Sequence, residues 1–372
     1  MSAVPPAPIE VLVVDDSAVI RRFVTEVLNG QGDITVQATA SNGEIALERL
    51  AQRLPDVVVL DIEMPVLDGL ATLERIRRRW RDLPVVMFST LTTRGATATL
   101  DALARGATDY VSKPTHLGDL ASAKAAVAAE LVPVLRSCAT VRRTRLALGR
   151  STVSRPTSAP TPARRPTPFH PRPARCDVLV IASSTGGPHA LTEVVPALPA
   201  TLPVPVLIVQ HMPALFTRLL ADRLNGRSPL SVHHAEESMP IEAGSVYLAP
   251  GGLHMLVRRG ADGRARIGLD DGPPENSVKP AADVLFRSAA AFYGGRILAV
   301  VLTGMGSDGL AGCRVIRQAG GTIFAQDEAT SVVWGMPGAV AREGLIDAEL
   351  PLGEIAPAIA QQLGHKLREV PA

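Results

Sequence analysis

Three short apolar runs in the C-terminal half end in side chains that together could cleave an ester. Residues 178–181 lead into Ser183-Ser184-Thr185-Gly186-Gly187, residues 206–209 into Gln210 and His211-Met212-Pro213, and residues 297–302 into Thr303-Gly304-Met305-Gly306-Ser307-Asp308-Gly309. A serine, a histidine and an aspartate at neighbouring strand ends are the set that an unactivated ester requires. The imidazole takes the hydroxyl proton, the carboxylate fixes its tautomer, and backbone N–H groups meet the developing oxyanion. The chain order, Ser then His then Asp, is not the Ser-Asp-His order of α/β-hydrolases, and their G-x-S-x-G elbow is missing. A glycine-rich turn between strand and helix is also a generic anion site. No Gly-Lys-Ser/Thr follows and there is no G-x-G-x-x-G, but the turn alone does not decide; His211 and Asp308 at neighbouring strand ends make the nucleophile reading outweigh a phosphate loop. Which of the two adjacent serines reacts stays open at this level. His189 competes as base, but it falls in the first turn after the glycines and is expected to point along the new helix. His233 and His234, with Glu236 nearby, could suggest a metal, yet adjacent strand residues face opposite ways, so solvent exposure is expected.

The N-terminal half places carboxylates at the same kind of position. Asp15 and Asp16 follow residues 9–14, Asp61 follows 57–60, Ser89 follows 85–88, and Lys113 follows Tyr110-Val111-Ser112. Three carboxylates at one sheet edge repel each other unless a cation is present, and Mg²⁺ with retained waters suits an all-oxygen set. One of them could then attack a phosphoryl donor while Lys113 neutralises oxygen charge. Asp16 with Ser17 alone would read as a helix cap; all four strand ends carrying suitable groups together is the specific signal.

The elements that must position these groups follow from periodicity. β-Branched runs alternate with amphipathic stretches such as Ile20, Phe23, Val24, Val27 and Leu28, spaced by three and four. Near-continuous apolar strands separated by helices imply a parallel sheet covered on both faces, with ligands at the carboxyl ends of the strands. The expected fold class is α/β, with two doubly wound parallel-sheet domains.

The chain has 372 residues, enough for two domains with their own cores. Apolar residues make up 46% and aromatics only 3%, so aliphatic side chains must build those cores. Cys138, Cys176 and Cys313 are too scattered for a disulfide framework or a cysteine-rich zinc site. No stretch approaches the roughly 18 consecutive apolar residues of a membrane span, and the N-terminus lacks a basic segment followed by an apolar one. A cytoplasmic protein without membrane insertion is expected. Nine of the 38 basic residues are arginines between Ser137 and Arg175, where there is no Asp or Glu; the rest of the chain has 29 basic against 36 acidic residues. The same tract has seven prolines between Pro156 and Pro173. Proline removes backbone donors and little apolar surface is present, so 137–175 reads as a Pro/Arg-rich linker. With the basic charge confined there, a globular nucleic-acid-binding face is not expected.

The runs "VLVVDDSAVIRR", "VVVLDIEMPVLDG", "VVMFST" and "DYVSKP" resemble the receiver domain of two-component response regulators. The resemblance implies a flavodoxin-like fold over 1–136. It also implies that Asp61 is the phosphoacceptor, that Asp15 and Asp16 help it hold Mg²⁺, and that Lys113 contacts the phosphate. Ser89 and Tyr110 stand at the family's switch positions.

The C-terminal half, through "SSTGGP", "QHMP", "YLAPGGLHM", "DGPPENSVKPAADVLF", "LTGMGSDG" and "GMPGAV", resembles the catalytic domain of the CheB family of chemotaxis protein-glutamate methylesterases. That implies a Rossmann-like domain over 176–372 that hydrolyses glutamyl methyl esters on methyl-accepting chemotaxis receptors and deamidates receptor glutamines. It also implies activation by a histidine kinase of the chemotaxis type, and no cofactor for the esterase step. Carried over, Ser184 is the nucleophile, His211 the base and Asp308 the orienting acid. Where the family motif usually reads Gly-Ala-Ser-Thr-Gly-Gly, this chain has Ala182 and Ser183 for the first two residues. The amides of Thr185 and Met305, flanking tight turns at the same edge, are the candidate oxyanion donors. His254 is a candidate for the substrate cleft or for a packed structural role. Asn276, a second cleft candidate, and Lys279 are candidates for contact with the receptor or for capping their loop.

Overall fold

The computed structural model describes residues 7–90, 92–114, 120–150 and 175–364. The chain divides into two units, Met1–Ser158 and Ala159–Ala372.

In the first unit, β1 (Ile9–Val14), β2 (Ile34–Ala40), β3 (Val57–Asp61), β4 (Val85–Ser89) and β5 (Asp109–Ser112) form one parallel sheet, ordered β2-β1-β3-β4-β5. This is the flavodoxin-like order, and its direction reverses between β1 and β3. The crevice so created lies where Asp15 and Asp61 leave their strands. Helices α1 (Ala18–Asn29), α2 (Gly43–Gln52), α3 (Gly69–Arg79), α4 (Thr93–Ala104) and α5 (Leu120–Arg150) connect and follow the strands. The spacing in α1 works as expected: Phe23, Val24, Val27 and Leu28 are buried, and the Ser17 hydroxyl accepts the Ile20 amide as N-cap.

The boundary expected at residue 137 falls inside α5, which runs on to Arg150. Leu131, Leu135, Cys138 and Ala139 are buried against the sheet, so an apolar face continues through the start of the arginine tract. The nearby arginines are also satisfied by folded partners. Arg136 forks onto Asp33, Arg142 donates to the Pro55 carbonyl, and Arg143 bonds Asp56 and the carbonyls of Ala7 and Pro8. Composition pointed to a tether here because it counts charges without asking which carboxylates face them. The proline-rich remainder, 151–174, lies outside the described residues.

In the second unit, β6 (Val178–Ser183), β7 (Val206–Gln210), β8 (Ser231–His234), β9 (Ser245–Leu248), β12 (Ile297–Val301), β13 (Thr322–Gln326) and β14 (Ala348–Leu350) form a parallel sheet of order β14-β13-β12-β6-β7-β9-β8. β10 (His254–Arg259) and β11 (Ala265–Asp270) make a separate antiparallel hairpin. Helices α6 (Gly187–Val194), α7 (Ala214–Asn225), α8 (Ala282–Tyr293), α9 (Leu310–Gln318), α10 (Met336–Arg342) and α11 (Leu352–Gln362) complete the unit. β6, β7, β12 and β13 are buried along their whole length, as strands covered on both faces must be. Truncating one fully buried residue there, such as Leu207, to alanine would cost roughly 2–5 kcal/mol. After β6 the chain builds outward through β7 and then returns to place β12 on β6's other side. The loops after β6 and β12 therefore face each other across the switch point, with the loop after β7 beside them.

Candidate active site

The two serines are separated by their surroundings. Ser183 is the last residue of β6, fully buried, and its hydroxyl donates to Gln210 Oε1 at 2.7 Å. Gln210 then uses Nε2 to hold the Ser184 and His211 carbonyls, at 3.0 and 3.2 Å. Ser183 thus anchors the strand ends. Ser184 lies one residue further, half-buried, and its hydroxyl has no hydrogen-bond partner among the described residues. The parallel pairing of Ser183 with Gln210 makes Ser184 and His211 leave adjacent strands at the same level. Side chains are excluded where the loop packs tightest: a Cβ on Gly187 would overlap Gln210 Oε1, and one on Gly304 would overlap Met336 Sδ and crowd Ser184 Cβ.

His211 Nε2 lies 2.8 Å from Asp308 Oδ2. That carboxylate is buried and heavily solvated by protein donors. Oδ2 also accepts the Ala282 amide at 2.6 Å, and Oδ1 accepts the amides of Asp283 (3.1 Å) and Gly309 (3.0 Å) and Asn276 Nδ2 (2.9 Å). Asp308 thereby fills the place of an N-cap for α8, whose own Ala281 has no capping side chain. Burial alone would raise the Asp308 pKa. The hydrogen bond and charge of His211, with the Ala282 and Asp283 amides, outweigh it and hold the carboxyl below its ordinary value. With Nε2 engaged by Asp308, Nδ1 is the ring nitrogen left to exchange a proton with a hydroxyl.

The backbone amides of Thr185 and Met305 have no acceptor among the described residues, and neither does that of Gly186, which sequence reasoning passed over. The Met305 loop is fixed from behind, because the Gly304 carbonyl accepts the Gly335 and Met336 amides at 3.0 and 2.8 Å. Thr303 Oγ1 ties the two loops by donating to the Thr185 carbonyl at 2.9 Å.

The other candidate side chains have the following surroundings. His254 is buried; Nδ1 accepts the Ala281 amide at 3.1 Å and Nε2 faces the Pro273 carbonyl at 3.0 Å, so both nitrogens are engaged by backbone groups, as a packed structural role requires. Asn276 joins the Asp308 network instead of reaching outward, because its amide is drawn between Asp308 and Asp283. Lys279 is held by Asp271 at 2.7 Å. His233 and His234 are half-buried: His233 packs on Tyr247 and His234 Nε2 bonds Thr217 Oγ1 at 3.1 Å. His189 is half-buried on α6, and its ring has no hydrogen bond among the described residues.

In the first unit, carboxylate oxygens of Asp15, Asp16 and Asp61 lie within 4.8 Å of one another. Lys113 Nζ bridges Asp15 Oδ2 at 2.7 Å and Asp61 Oδ1 at 2.8 Å. Burial raises the pKa of Asp61, with Asp15 adding to it, against the opposing pull of Lys113. One ammonium against three carboxylates leaves negative charge, and the donors are all hard oxygens, so the set fits a divalent cation such as Mg²⁺. Ser89 is buried at the end of β4, paired in register with Ser112 on β5; Tyr110 stands two residues earlier on that strand, half-buried, and burial pushes its phenol pKa up.

Residues 11–125 match the response regulator receiver domain family, and 179–359 match the CheB methylesterase family. Fold and site thus define a response regulator whose output is a hydrolase. The chain is 48% identical to the protein-glutamate methylesterase/protein-glutamine glutaminase of Nocardioides sp., over 96% of each chain. It is 44% identical to the protein of the same name from Trichodesmium erythraeum, over 95% of this chain and 99% of that one. The crystal structure of the Thermotoga maritima CheB methylesterase catalytic domain is 41% identical, with a TM-score of 0.49, covering 50% of this chain and 98% of that one. The chain belongs to the protein-glutamate methylesterase/protein-glutamine glutaminase family. Among the described residues no helix is long and apolar enough to cross a membrane.

Proposed function

We propose that Ser184, His211 and Asp308 are the catalytic set of a phosphorylation-activated enzyme acting on methyl-accepting chemotaxis receptors. The observation that carries this reading is the 2.8 Å bond from His211 Nε2 to Asp308, with Ser184 leaving the adjacent strand end and its hydroxyl unbonded among the described residues. Ser184 Oγ attacks the carbonyl carbon of a glutamyl methyl ester while its proton passes to His211 Nδ1. The carbonyl oxygen takes the negative charge and is met by the free amides of Thr185 and Met305. Collapse breaks the bond to the methoxy oxygen, which leaves as methanol with the proton from His211. Water, deprotonated by the same nitrogen, then cleaves the acyl-enzyme to a glutamate and restores Ser184. A receptor glutamine follows the same path with ammonia as leaving group. Asp308 stays ionised throughout and stabilises the imidazolium through Nε2–H.

In the receiver, Asp15, Asp16 and Asp61 would hold Mg²⁺, which when bound offsets charge on the phosphoryl oxygens. Asp61 takes the phosphoryl group from a phosphohistidine of a chemotaxis-type histidine kinase, and Lys113 neutralises one of its oxygens. Ser89 and Tyr110 respond to the new charge, and the two-state element they bias raises the esterase rate. We read residues 151–174 as the linker between the receiver and the catalytic domain. The test is methanol release from methylated receptor with and without a small phosphodonor. Stimulation of the wild type and none of Asp61→Asn is expected; equal stimulation of both would refute the assignment of Asp61.

A further inference from the structure

Asn276 and Ser277 are the central residues of a tight turn whose ends, Glu275 and Val278, exchange backbone hydrogen bonds of 3.2 and 3.0 Å. Both have positive φ, 53° and 65°, as a type I′ turn requires, and neither is glycine. The turn is clamped to α8 by Arg287, whose two terminal nitrogens bond Glu275 Oε1 and Oε2 at 2.7 and 2.6 Å. This geometry delivers the Asn276 amide between two buried carboxylates: Nδ2 donates to Asp308 Oδ1 and to Asp283 Oδ2, both at 2.9 Å. Asp283 is only 2% exposed, and its other oxygen is locked by the Gly312 amide of α9 at 2.6 Å.

Asp283 has no step of its own in the ester reaction, yet it keeps a buried charge close to Asp308. Burial pushes its pKa up and the Asp308 charge adds to this, against the Gly312 amide. Two buried carboxylates this close repel unless a donor lies between them, and Asn276 is that donor. The other donors to Asp308 Oδ1 are backbone amides of α8 and of its own loop. Among the described residues Asn276 alone reaches it from a separate turn, so it restrains rotation of the carboxylate from outside.

We propose that Asn276 and Asp283 are a positioning pair for Asp308. Asp283 sets the direction of the Asn276 amide, and that amide holds Asp308 Oδ1 so that Oδ2 stays aimed at His211 Nε2. The proposal rests on the catalytic reading of His211 and Asp308 given above.

Asn276→Gly in the full-length protein separates this role from turn formation, because glycine adopts positive φ freely and only the amide is lost. In methanol release from methylated receptor, kcat should fall about tenfold or more while KM stays within about twofold. The thermal midpoint should remain near that of the wild type. Asp283→Asn sets its own NH₂ against that of Asn276, and flipping Asn276 to relieve this would turn an oxygen toward Asp308. The same split between kcat and KM is expected. Wild-type kcat in Asn276→Gly would overturn the proposal, as would loss of folding in both variants, which would make the pair a stability device. Ser184→Ala is the control: full activity there overturns the catalytic reading itself. An inactive Ser184→Ala with a full-rate Asn276→Gly overturns the positioning pair alone.

Discussion

His211 presents Nε2 to Asp308, 2.8 Å from Oδ2. In the Ser-His-Asp arrangement of chymotrypsin-like proteases the acid holds Nδ1 and the serine faces Nε2; here the acid holds Nε2 and Nδ1 is left over. β7 ends level with β6, so His211 and Ser184 leave adjacent strand ends, and the proposed reaction uses the nearer ring nitrogen, Nδ1. The longer reach through Nε2 spans to the loop after β12. Chemistry requires only that one nitrogen keeps its proton toward the acid and the other is free to accept.

Ser183 and Ser184 should respond very differently to alanine. Ser183→Ala removes the buried bond to Gln210 Oε1 and should cost about 1 kcal/mol of stability. Its methanol-release rate should stay within a few-fold of wild type, because neither the hydroxyl at 184 nor its neighbours is lost. Urea unfolding and steady-state kinetics on the same preparation check both parts.

Asp308→Asn should lower kcat by about 10⁴-fold, since an amide cannot keep the correct tautomer. It should also change the pH dependence of stability. The folded-state pKa of Asp308 lies below its unfolded value of about 3.9. Its contribution is therefore present above that pH and is lost as pH falls through the folded value. Denaturation midpoints from pH 7 down to acid should show a steeper loss for wild type than for the variant.

Gly304→Ala would force a methyl group against Met336 Sδ and Ser184 Cβ. The loop must shift, which carries the Met305 amide away from the proposed oxyanion position. A kcat reduced by about 10²-fold is expected, with a lowered thermal midpoint because Met336 is buried.

The receiver should need its long last helix. A fragment of residues 1–136 lacks Cys138, Ala139 and the Arg143–Asp56 pair, all of which pack or bond within the unit. It should unfold at lower urea concentration than a fragment of residues 1–150. Equal midpoints would mean that the end of α5 adds nothing to the fold.

The strand-end residues were legible because a strand buried on both faces is a continuous apolar run, and the first polar residue after it is what the sheet edge displays. Asp15 and Asp61 are found that way, and His211 and Asp308 stand slightly further along the same strand-end loops, but the choice of Ser184 over Ser183 came from the family resemblance. Asn276 could not, since its partner is 32 residues away and its role depends on a turn docking onto α8. The chemistry of the side chain suggested a function, but only tertiary structure supplies the atom it touches. For His254 the sequence left a cleft role and a packed structural role open, because only the tertiary structure shows both nitrogens occupied. β9 to β11 escaped notice because they are short, and β10 and β11 form a hairpin outside the parallel sheet. The extent of α5 was hidden because the apolar positions after Leu135 sit among arginines whose acidic partners lie a hundred residues earlier.

The most direct measurement is methanol release from methylated receptor by Ser184→Ala beside wild type, with phosphodonor present. A loss of at least about 10³-fold, with the variant as stably folded as wild type, is predicted. Methanol release at the wild-type rate would contradict the assignment of Ser184 as nucleophile.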